Sequence, residues 1–306
     1  DNGYHVEVID NLTTGKKSQL PKNIKFHKCD IGNCENVNKI MKEGKFDAVF
    51  HFAASIIVPE SVQNPIKYYS NNTLETLNFI KSCVENKIKY FIFSSTAAVY
   101  ESNSDQKLNE SSTIKPSSPY GMSKLMSENM IKDILGIHKI PYIIFRYFNV
   151  AGADRLLRCG QQNQNSTHLI KVGCEVALNK RKNLSIFGNN YNTPDGTGVR
   201  DYIHVNDLVN AHLKGLLYLK NLKTGLILNC GYGKGYSVKD VVEIFNKFSN
   251  GIFKTKIAPK RLGDPASVVA DNKLILEILS WQPQFDDLEI IIRDSLKWEK
   301  KLILKT

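Results

Sequence analysis

Short apolar runs alternate with longer amphipathic stretches through the first half of the chain. The apolar runs end in polar or small residues and read "HVEVID", "IKFHKCD", "FDAVFHFAA", "YFIFSST" and "PYIIFRYFNV". Between them lie amphipathic stretches such as "NCENVNKIMKEG" and "NPIKYYSNNTLETLNFIKSCVENK". Strands and helices that alternate at this rhythm predict a parallel sheet with helices on both faces, an α/β fold.

The rhythm changes beyond about residue 152. A polar loop, "CGQQNQNST", and a glycine-rich loop, "GNNYNTPDGTG", precede the strand-like runs "VRDYIHV" and "GLILNCG" and the final helical pattern "LEIIIRDSLKWEKKL". This pattern indicates a smaller mixed α/β lobe. We predict a cofactor domain over 1–152, to which a segment around 199–210 returns, and a substrate domain over 153–306.

Ligands of open parallel sheets bind at the carboxyl ends of the strands. The first such end is Asp10, followed by turn-forming Asn11 and Gly15. An acidic residue there is where a Rossmann-like, doubly wound fold holds the adenosine ribose of a dinucleotide, about 20 residues after a glycine-rich phosphate loop. The residues before Asp10 do not supply that loop. We therefore expect a sheet that lacks its first strand, with little NAD retention and poor stability.

Composition narrows the class of protein. The 306 residues, 42% of them hydrophobic, are enough for a large globular core. The net charge of +11 favours anionic ligands, but the lysines are dispersed and form no nucleic-acid signature, so we predict no nucleic-acid partner. No apolar run approaches the ~18 residues of a membrane span, so we predict no membrane association.

Cysteine and histidine spacing bears on location and metal binding. The six cysteines show no C-x-x-C spacing, so we predict free thiols in a reducing compartment, the cytoplasm. His51, His168 and His204 are far apart along the chain and lack the spacing of metal ligands. We predict that they are core or strand-end side chains and that there is no metal.

Candidate chemistry centres on Tyr120 and Lys124, which share one helix face at i, i+4 spacing. A tyrosine with its usual pKa near 10 is a poor base at neutral pH, but a fixed ammonium nearby stabilises the phenolate. The strand "YFIFSST" brings Ser94, Ser95 and Thr96 to the same sheet edge, where a hydroxyl could relay a proton to Tyr120. An ordinary amphipathic helix and a strand-end turn are the alternative interpretations of these two patterns.

Several motifs together resemble the UDP-glucose 4-epimerase family of extended short-chain dehydrogenases/reductases. They are "HFAASIIVPESVQNPIKYYSNNT", "FIFSSTAAVY", "SPYGMSK", "RYFNVAGA", "IFGNNYNTPDGTGVRDYIHVNDL" and "KRLGDPA", which span nearly the whole chain. The resemblance implies an isomerase of carbohydrate metabolism, including galactose metabolism. In this family, tightly bound NAD takes a hydride from C4 of a UDP-sugar and returns it to the other face, which interconverts UDP-glucose and UDP-galactose.

The resemblance also implies roles for individual residues. The catalytic group would be Tyr120 as base, Lys124 and Thr96. The cofactor site would comprise Asp10, Asn11, Asp30, Ile31, Phe52, Ala53, Ala54, Asn71, Ser94, Tyr120, Lys124 and Tyr147. The substrate site would comprise Thr96, Asn149, Leu169, Phe187, Arg200, Arg261, Asp264 and Val268, with the two arginines on the diphosphate.

Three further expectations follow from the resemblance. Ala97 and Ala98 stand where related dehydratases place an acid and a base, which disfavours dehydration. Val268 occupies the position that limits space at C2 of the sugar, and its modest size predicts that UDP-N-acetylhexosamines are also accepted. Helices near 72–86 and 120–136 would join a homodimer.

The alternative function is a non-catalytic nucleotide-sugar-binding or scaffold protein, or an inactive fragment, because the glycine-rich loop is missing.

Overall fold

The computed structural model describes residues 1–101, 106–163, 166–221, 224–261 and 263–304. The strands within these ranges are β1 (Glu7–Asp10), β2 (Lys25–Lys28), β3 (Ala48–His51), β4 (Tyr90–Thr96), β5 (Tyr142–Tyr147), β6 (Asn149–Ala151), β7 (Leu184–Phe187), β8 (Val199–His204), β9 (Gly225–Cys230), β10 (Gly235–Ser237), β11 (Thr255–Ala258) and β12 (Ser267–Val268).

The α-helices are α1 (Cys34–Gly44), α2 (Val58–Gln63), α3 (Pro65–Tyr68), α4 (Glu75–Glu85), α5 (Pro119–Ile137), α6 (Leu169–Ala177), α7 (Val205–Leu219), α8 (Val238–Phe248), α9 (Lys273–Leu279) and α10 (Leu288–Ile303). A π-helical stretch, Tyr69–Leu74, joins α3 to α4, and short 3₁₀ helices cover Lys17–Gln19 and Ala97–Val99. No helix within the described ranges is both long and apolar enough to cross a membrane.

The chain divides into two compact units. Unit 1 comprises Asp1–Ser95, Ser118–Phe145 and Gly215–Ile227, and unit 2 comprises Thr96–Ser117, Arg146–Lys214 and Leu228–Thr306. The division cuts through β4, β5 and β9, because each of these strands begins in unit 1 and ends in unit 2. The assignment of a cofactor domain to 1–152 and a substrate domain to 153–306 stays a prediction.

Unit 1 contains the parallel strands that the apolar runs predict. β1 pairs with β2 in parallel, and a second sheet has the order β3-β4-β5-β9, with β3 parallel to β4. The sequence pattern places "GLILNCG" in the smaller lobe, whereas β9 in fact lies beside β5. An apolar run identifies a strand, but its sheet depends on long-range pairing.

Helices α1, α4 and α5 bury one apolar face each in the core of unit 1. Val37 of α1, Ile80 of α4 and Ile131 of α5 are fully buried, and they join Phe91 and Phe93 of β4 in one cluster. Burial of each such side chain contributes about 1.5–3 kcal/mol relative to exposure. This packing fixes α5 against β4, and the predicted α/β class is confirmed.

In unit 2, strand β8 pairs with three other strands. It pairs with β10, β12 and β6, while β7 and β11 form a separate parallel pair. Asp201 of β8 is fully buried, and its carboxylate accepts hydrogen bonds from the backbone N–H groups of Tyr232 at 2.9 Å, Gly233 at 2.8 Å and Ala270 at 3.2 Å. One side chain therefore holds two loops against β8.

Two helical glycines predict opposite effects of the same substitution. A Cβ on Gly173 of α6 would lie 2.2 Å from the ring of buried Phe245, whereas a Cβ on Gly136 of α5 would meet no atom within 4 Å. We expect Gly173→Ala to lower the free energy of unfolding by about 1–3 kcal/mol through overpacking. The matched control Gly136→Ala should raise it by up to about 1 kcal/mol through helix propensity. Urea unfolding of both variants is the measurement, and stabilisation by Gly173→Ala would contradict this packing.

Candidate active site

The start of α5 places Tyr120 and Lys124 in unit 1. Ser118 caps the helix by accepting a hydrogen bond from the Gly121 N–H at 3.2 Å, and Pro119 occupies the first helical position, where its missing N–H costs nothing. Tyr120 therefore lies in the first turn and is half-buried, and Lys124 lies one turn later and is buried.

The ammonium of Lys124 points at the end of β4. Its Nζ donates a hydrogen bond to the Ser94 carbonyl at 2.6 Å and lies 4.5 Å from the centroid of the Phe93 ring. The side chain is only 2% exposed. Burial lowers the pKa of Lys124 to about 7, against the opposing effect of the negative charge of Glu128. Lys124 can therefore change its protonation state near neutral pH.

The π-helical stretch fixes the residues beside α5. Asn72 donates hydrogen bonds to Ser123 Oγ and to the Ser55 carbonyl, both at 3.0 Å, and accepts one from the Ser55 N–H at 2.7 Å. This buried amide ties α5 to the loop after β3. Asn71, a predicted cofactor residue, precedes it and is half-buried. π-Helical turns occur frequently at functional sites.

Two further side chains of the same unit interact with Tyr120 or Lys124. The ring of Tyr68 packs edge-on against the ring of Tyr120, with 6.3 Å between centroids. The Tyr68 hydroxyl donates to Glu60 at 2.8 Å, which orients its ring. His51 at the end of β3 is buried, forms a 2.9 Å hydrogen bond with Thr76, and has its pKa lowered to about 3 by burial and by the charge of Lys124.

The parallel pair of β1 and β2 brings Asp10 and Asp30 to one sheet edge. Asp10 accepts a hydrogen bond from the Leu12 N–H at 2.6 Å, and a Cβ on Gly15 would lie 2.7 Å from its Oδ2. Asp30 accepts from the Gly32 N–H at 2.8 Å and from Asn11 at 3.0 Å. Both carboxylates are held in place and can accept hydrogen bonds, Asp10 from the hydroxyls of a ribose and Asp30 from an amino group.

The end of β3 supplies an apolar surface in unit 1. Phe52 is 55% exposed, Ala53 is also exposed, and Ala54 is half-buried. An exposed aromatic ring beside small side chains can pack against a flat ring of a ligand. A fixed carboxylate can accept hydrogen bonds from ribose hydroxyls. The residues of unit 1 thus fit a dinucleotide. The sequence-predicted cofactor residues lie in this unit except Tyr147, which lies in unit 2.

Unit 2 contains Thr96 and Tyr147 at the ends of β4 and β5. Thr96 caps the following 3₁₀ helix by accepting the Ala98 N–H at 3.1 Å, as the strand-end-turn interpretation requires. The Tyr147 hydroxyl lies 2.5 Å from Nε2 of His212. The Nδ1 of His212 is 2.7 Å from the Leu208 carbonyl, so Nδ1 carries the proton and Nε2 accepts from Tyr147.

The predicted substrate residues of unit 2 form two pairs. Arg200 of β8 makes a short hydrogen-bonded ion pair with Asp264, and the Arg261 guanidinium lies 3.8 Å from the ring centroid of Phe187. Val268 of β12 is in register with Arg200. Each pair joins residues more than 60 positions apart in the sequence, so the arginines are oriented by tertiary structure.

The remaining substrate residues begin secondary-structure elements of unit 2. Asn149 is the first residue of β6 and is in register with Tyr202 of β8, and Leu169 is the first residue of α6. Across the described ranges, no cluster of three His, Cys, Asp or Glu side chains could hold a metal ion.

Sequence reasoning missed several residues that contact the predicted ones. They are Tyr68, Asn72, Glu128 and His212. A signal was present only for Glu128, which continues the i, i+4 series from Tyr120 and Lys124 along α5. The others act through contacts that the sequence pattern does not reveal.

Comparisons with known proteins agree with this geometry. The model of the NAD dependent epimerase/dehydratase family matches residues 1–231. A UDP-glucose 4-epimerase of Azospirillum brasilense is 44% identical over 302 residues, which is 99% of this chain and 87% of that protein.

Solved structures give the same result. The UDP-Glc/GlcNAc 4-epimerase of Campylobacter jejuni is 44% identical with a TM-score of 0.83, covering 97% of this chain and 92% of that one. The UDP-glucose 4-epimerase of Brucella ovis in complex with NAD is 35% identical with a TM-score of 0.92, covering 96% and 90%. The predicted family resemblance and Rossmann-like fold are confirmed.

The buried ammonium predicts a specific pH dependence of stability. The pKa of Lys124 is about 7 in the folded state, and a lysine in an unfolded chain has a pKa near 10.4. Between these values the unfolded chain binds the additional proton, so this residue makes the free energy of unfolding rise as the pH increases from 7 towards 10. We expect Lys124→Met to lose that rise and the exposed control Lys81→Met to keep it. Urea unfolding at several pH values tests this, and parallel curves for Lys124→Met and wild type would contradict it.

Proposed function

The chain belongs to the NAD dependent epimerase/dehydratase family, and from this premise we propose that it is a UDP-glucose 4-epimerase that interconverts UDP-glucose and UDP-galactose. The cofactor is NAD. The observation that carries the proposal is the Lys124 ammonium, buried one turn from Tyr120 and bonded to the end of β4. Burying an ammonium costs stability, and a protein that only binds nucleotide sugars has no need of it.

Tyr120 is the proposed base. Its phenolate takes the proton of the sugar hydroxyl at C4, and Lys124 stabilises the phenolate through its positive charge. When bound, NAD would supply the acceptor and the donor of the hydride at C4 of the sugar. Thr96 offers a hydroxyl through which the proton can pass. Tyr68, packed edge-on against Tyr120, restricts the orientation of the phenol.

The proposed cofactor residues would contact different parts of NAD. Asp10 and Asn11 would bind the adenosine ribose, and Asp30 and Ile31 the adenine. The remaining proposed cofactor residues are Phe52, Ala53, Ala54, Asn71, Ser94, Tyr120, Lys124 and Tyr147. Asp10 and Asp30 are already fixed by backbone N–H groups, so their oxygens need little reorganisation to bind hydroxyl or amino groups.

The substrate residues belong to unit 2. Arg200 and Arg261 would bind the diphosphate, for which guanidinium geometry is suited. Asp264 would accept a hydrogen bond from the uridine ribose, while its ion pair orients Arg200. Leu169 and Phe187 would flank the uracil, and Asn149 would contact the sugar and diphosphate.

We also propose that two copies of the chain form a homodimer through α5 and the helical segment that contains α4. Leu74 is 55% exposed, Leu77 37% and Met126 41%, so these segments present apolar side chains that a second copy could cover. The cytoplasmic location stays a prediction from cysteine spacing.

Replacing Tyr120 by Phe tests the proposed function. The change removes the base and keeps the ring that packs against Tyr68, so we expect kcat with UDP-galactose to fall by about 10²- to 10⁴-fold with NAD binding unchanged. The control Tyr90→Phe changes a tyrosine at the other end of β4 and should keep wild-type kcat. A wild-type protein that loads NAD but does not convert UDP-galactose to UDP-glucose would refute the proposal.

The size of Val268 predicts that the protein accepts more than one UDP-sugar. Val268 is half-buried and in register with Arg200, and its modest volume leaves room beside C2 of the sugar. We expect wild-type protein to convert UDP-N-acetylglucosamine as well as UDP-glucose, and Val268→Tyr to lose about tenfold or more in kcat/KM for the former alone. Turnover of UDP-glucose in the same variant is the internal control. Equal losses for both substrates would contradict this role.

A further inference from the structure

A buried carboxylate lies on the same helix as the proposed catalytic pair. Glu128 of α5 is fully buried, and its Oε1 accepts a 2.5 Å hydrogen bond from Oγ of Ser95, which is also buried. In this bond the serine hydroxyl is the donor and the carboxylate oxygen the acceptor. Neither residue belongs to the catalytic, cofactor or substrate sets described above.

Glu128 and Ser95 both lie near Lys124. Glu128 follows Lys124 by four residues, so the two side chains share one face of α5. Ser95 follows Ser94, whose carbonyl accepts the hydrogen bond from Lys124. Helix α5 therefore contacts the end of β4 twice. The Lys124 ammonium donates to the Ser94 carbonyl, and the Glu128 carboxylate accepts from the Ser95 hydroxyl. Together the two bonds fix the register of α5 along β4.

We propose that Glu128 is a positioning residue of the active site, which acts through Ser95 to hold α5 on β4 and through its charge to keep Lys124 in the ammonium form. The proposal deepens the proposed function and rests on it for the role of Lys124. An isolated buried ammonium readily loses its proton, because burial disfavours the charged form. A carboxylate at i+4 opposes that loss, and the negative charge of Glu128 raises the pKa of Lys124.

The other groups around this pair do not supply the same charge. From β3, His51 is held neutral by burial, with a pKa of about 3. From α3, Tyr68 has its pKa raised by burial and by Glu60 of α2, so it is also neutral near pH 7. The π-helical stretch presents uncharged Asn72 beside Ser123. Glu75, the titratable residue in the first turn of α4, interacts with Asp30, and burial and the charge of Asp30 raise its pKa to about 7. Tyr120 is the remaining titratable group on this part of α5, and its phenolate is the group that Lys124 stabilises.

Direct titration of Lys124 tests the proposal without requiring catalysis. The probe is the ¹³Cε signal of Lys124 in labelled full-length protein, assigned by its disappearance in Lys124→Met. We expect Glu128→Gln, which keeps the shape and the acceptor oxygen, to lower the pKa of Lys124 by about 1 unit or more. Asp133→Asn removes the same charge from an exposed position of α5 and should leave that pKa unchanged. An identical Lys124 pKa in wild type and Glu128→Gln overturns the proposal.

A second variant keeps the proposal testable if Glu128→Gln does not fold. Ser95→Ala removes the hydroxyl that holds the carboxylate, so the pKa of Lys124 should fall in the same direction by a smaller amount. An unchanged pKa in this variant would also overturn the proposal.

Enzyme kinetics separate this inference from the proposed function. In Glu128→Gln the alkaline decrease of kcat should move to lower pH, with KM for UDP-galactose unchanged, because deprotonated Lys124 no longer stabilises the phenolate. If wild type has no epimerase activity while the Lys124 pKa still falls in Glu128→Gln, the proposed function fails and the electrostatic role of Glu128 stands. If wild type is active and the pKa is unchanged, the inference fails alone.

Discussion

The burial of one ammonium is the constraint on which the proposed catalytic site depends. Lys124 loses nearly all contact with water, and a charge in that position is costly unless fixed dipoles and charges replace the solvent. The Ser94 carbonyl, the face of the Phe93 ring and the carboxylate of Glu128 do so. The first two of these groups belong to β4 and have to be at a set distance from α5. The fully buried apolar contacts between α5 and β4 maintain that distance.

Unit 2 also contains a buried ionisable side chain that organises the residues around it. The carboxylate of Asp201 is buried, and burial raises its pKa to about 6, although three backbone N–H groups oppose this. By accepting those bonds, one side chain fixes the loops beside β8. The next residue towards the N-terminus, Arg200, lies on the same strand and is oriented by Asp264. Residues proposed to bind anions are thus set in place before any ligand arrives.

Local patterns predicted the parts of the structure that depend on nearby residues. The strand ends at Asp10 and Thr96, and the helix that holds Tyr120 and Lys124, follow from apolar runs, capping residues and helical spacing. The place of β9 beside β5 and the bond between Tyr147 and His212 did not follow, because each depends on residues far apart in the chain. The proton chemistry of Tyr120 and Lys124 follows from helical spacing, whereas the other site roles come from resemblance. The structure adds the contacts that hold these side chains.

The π-helical stretch Tyr69–Leu74 also has a consequence for how this protein can evolve. A π-turn accommodates one more residue than an α-turn, and each residue of an α-helix turns the chain by about 100°. Deleting one residue here would straighten the helix into a regular α-helix and rotate Asn71 and Asn72 relative to α4. The hydrogen bonds from Asn72 to Ser55 and Ser123 could not then form. Selection on this segment therefore acts on its length as well as on its residues, whereas most surface loops tolerate insertions and deletions.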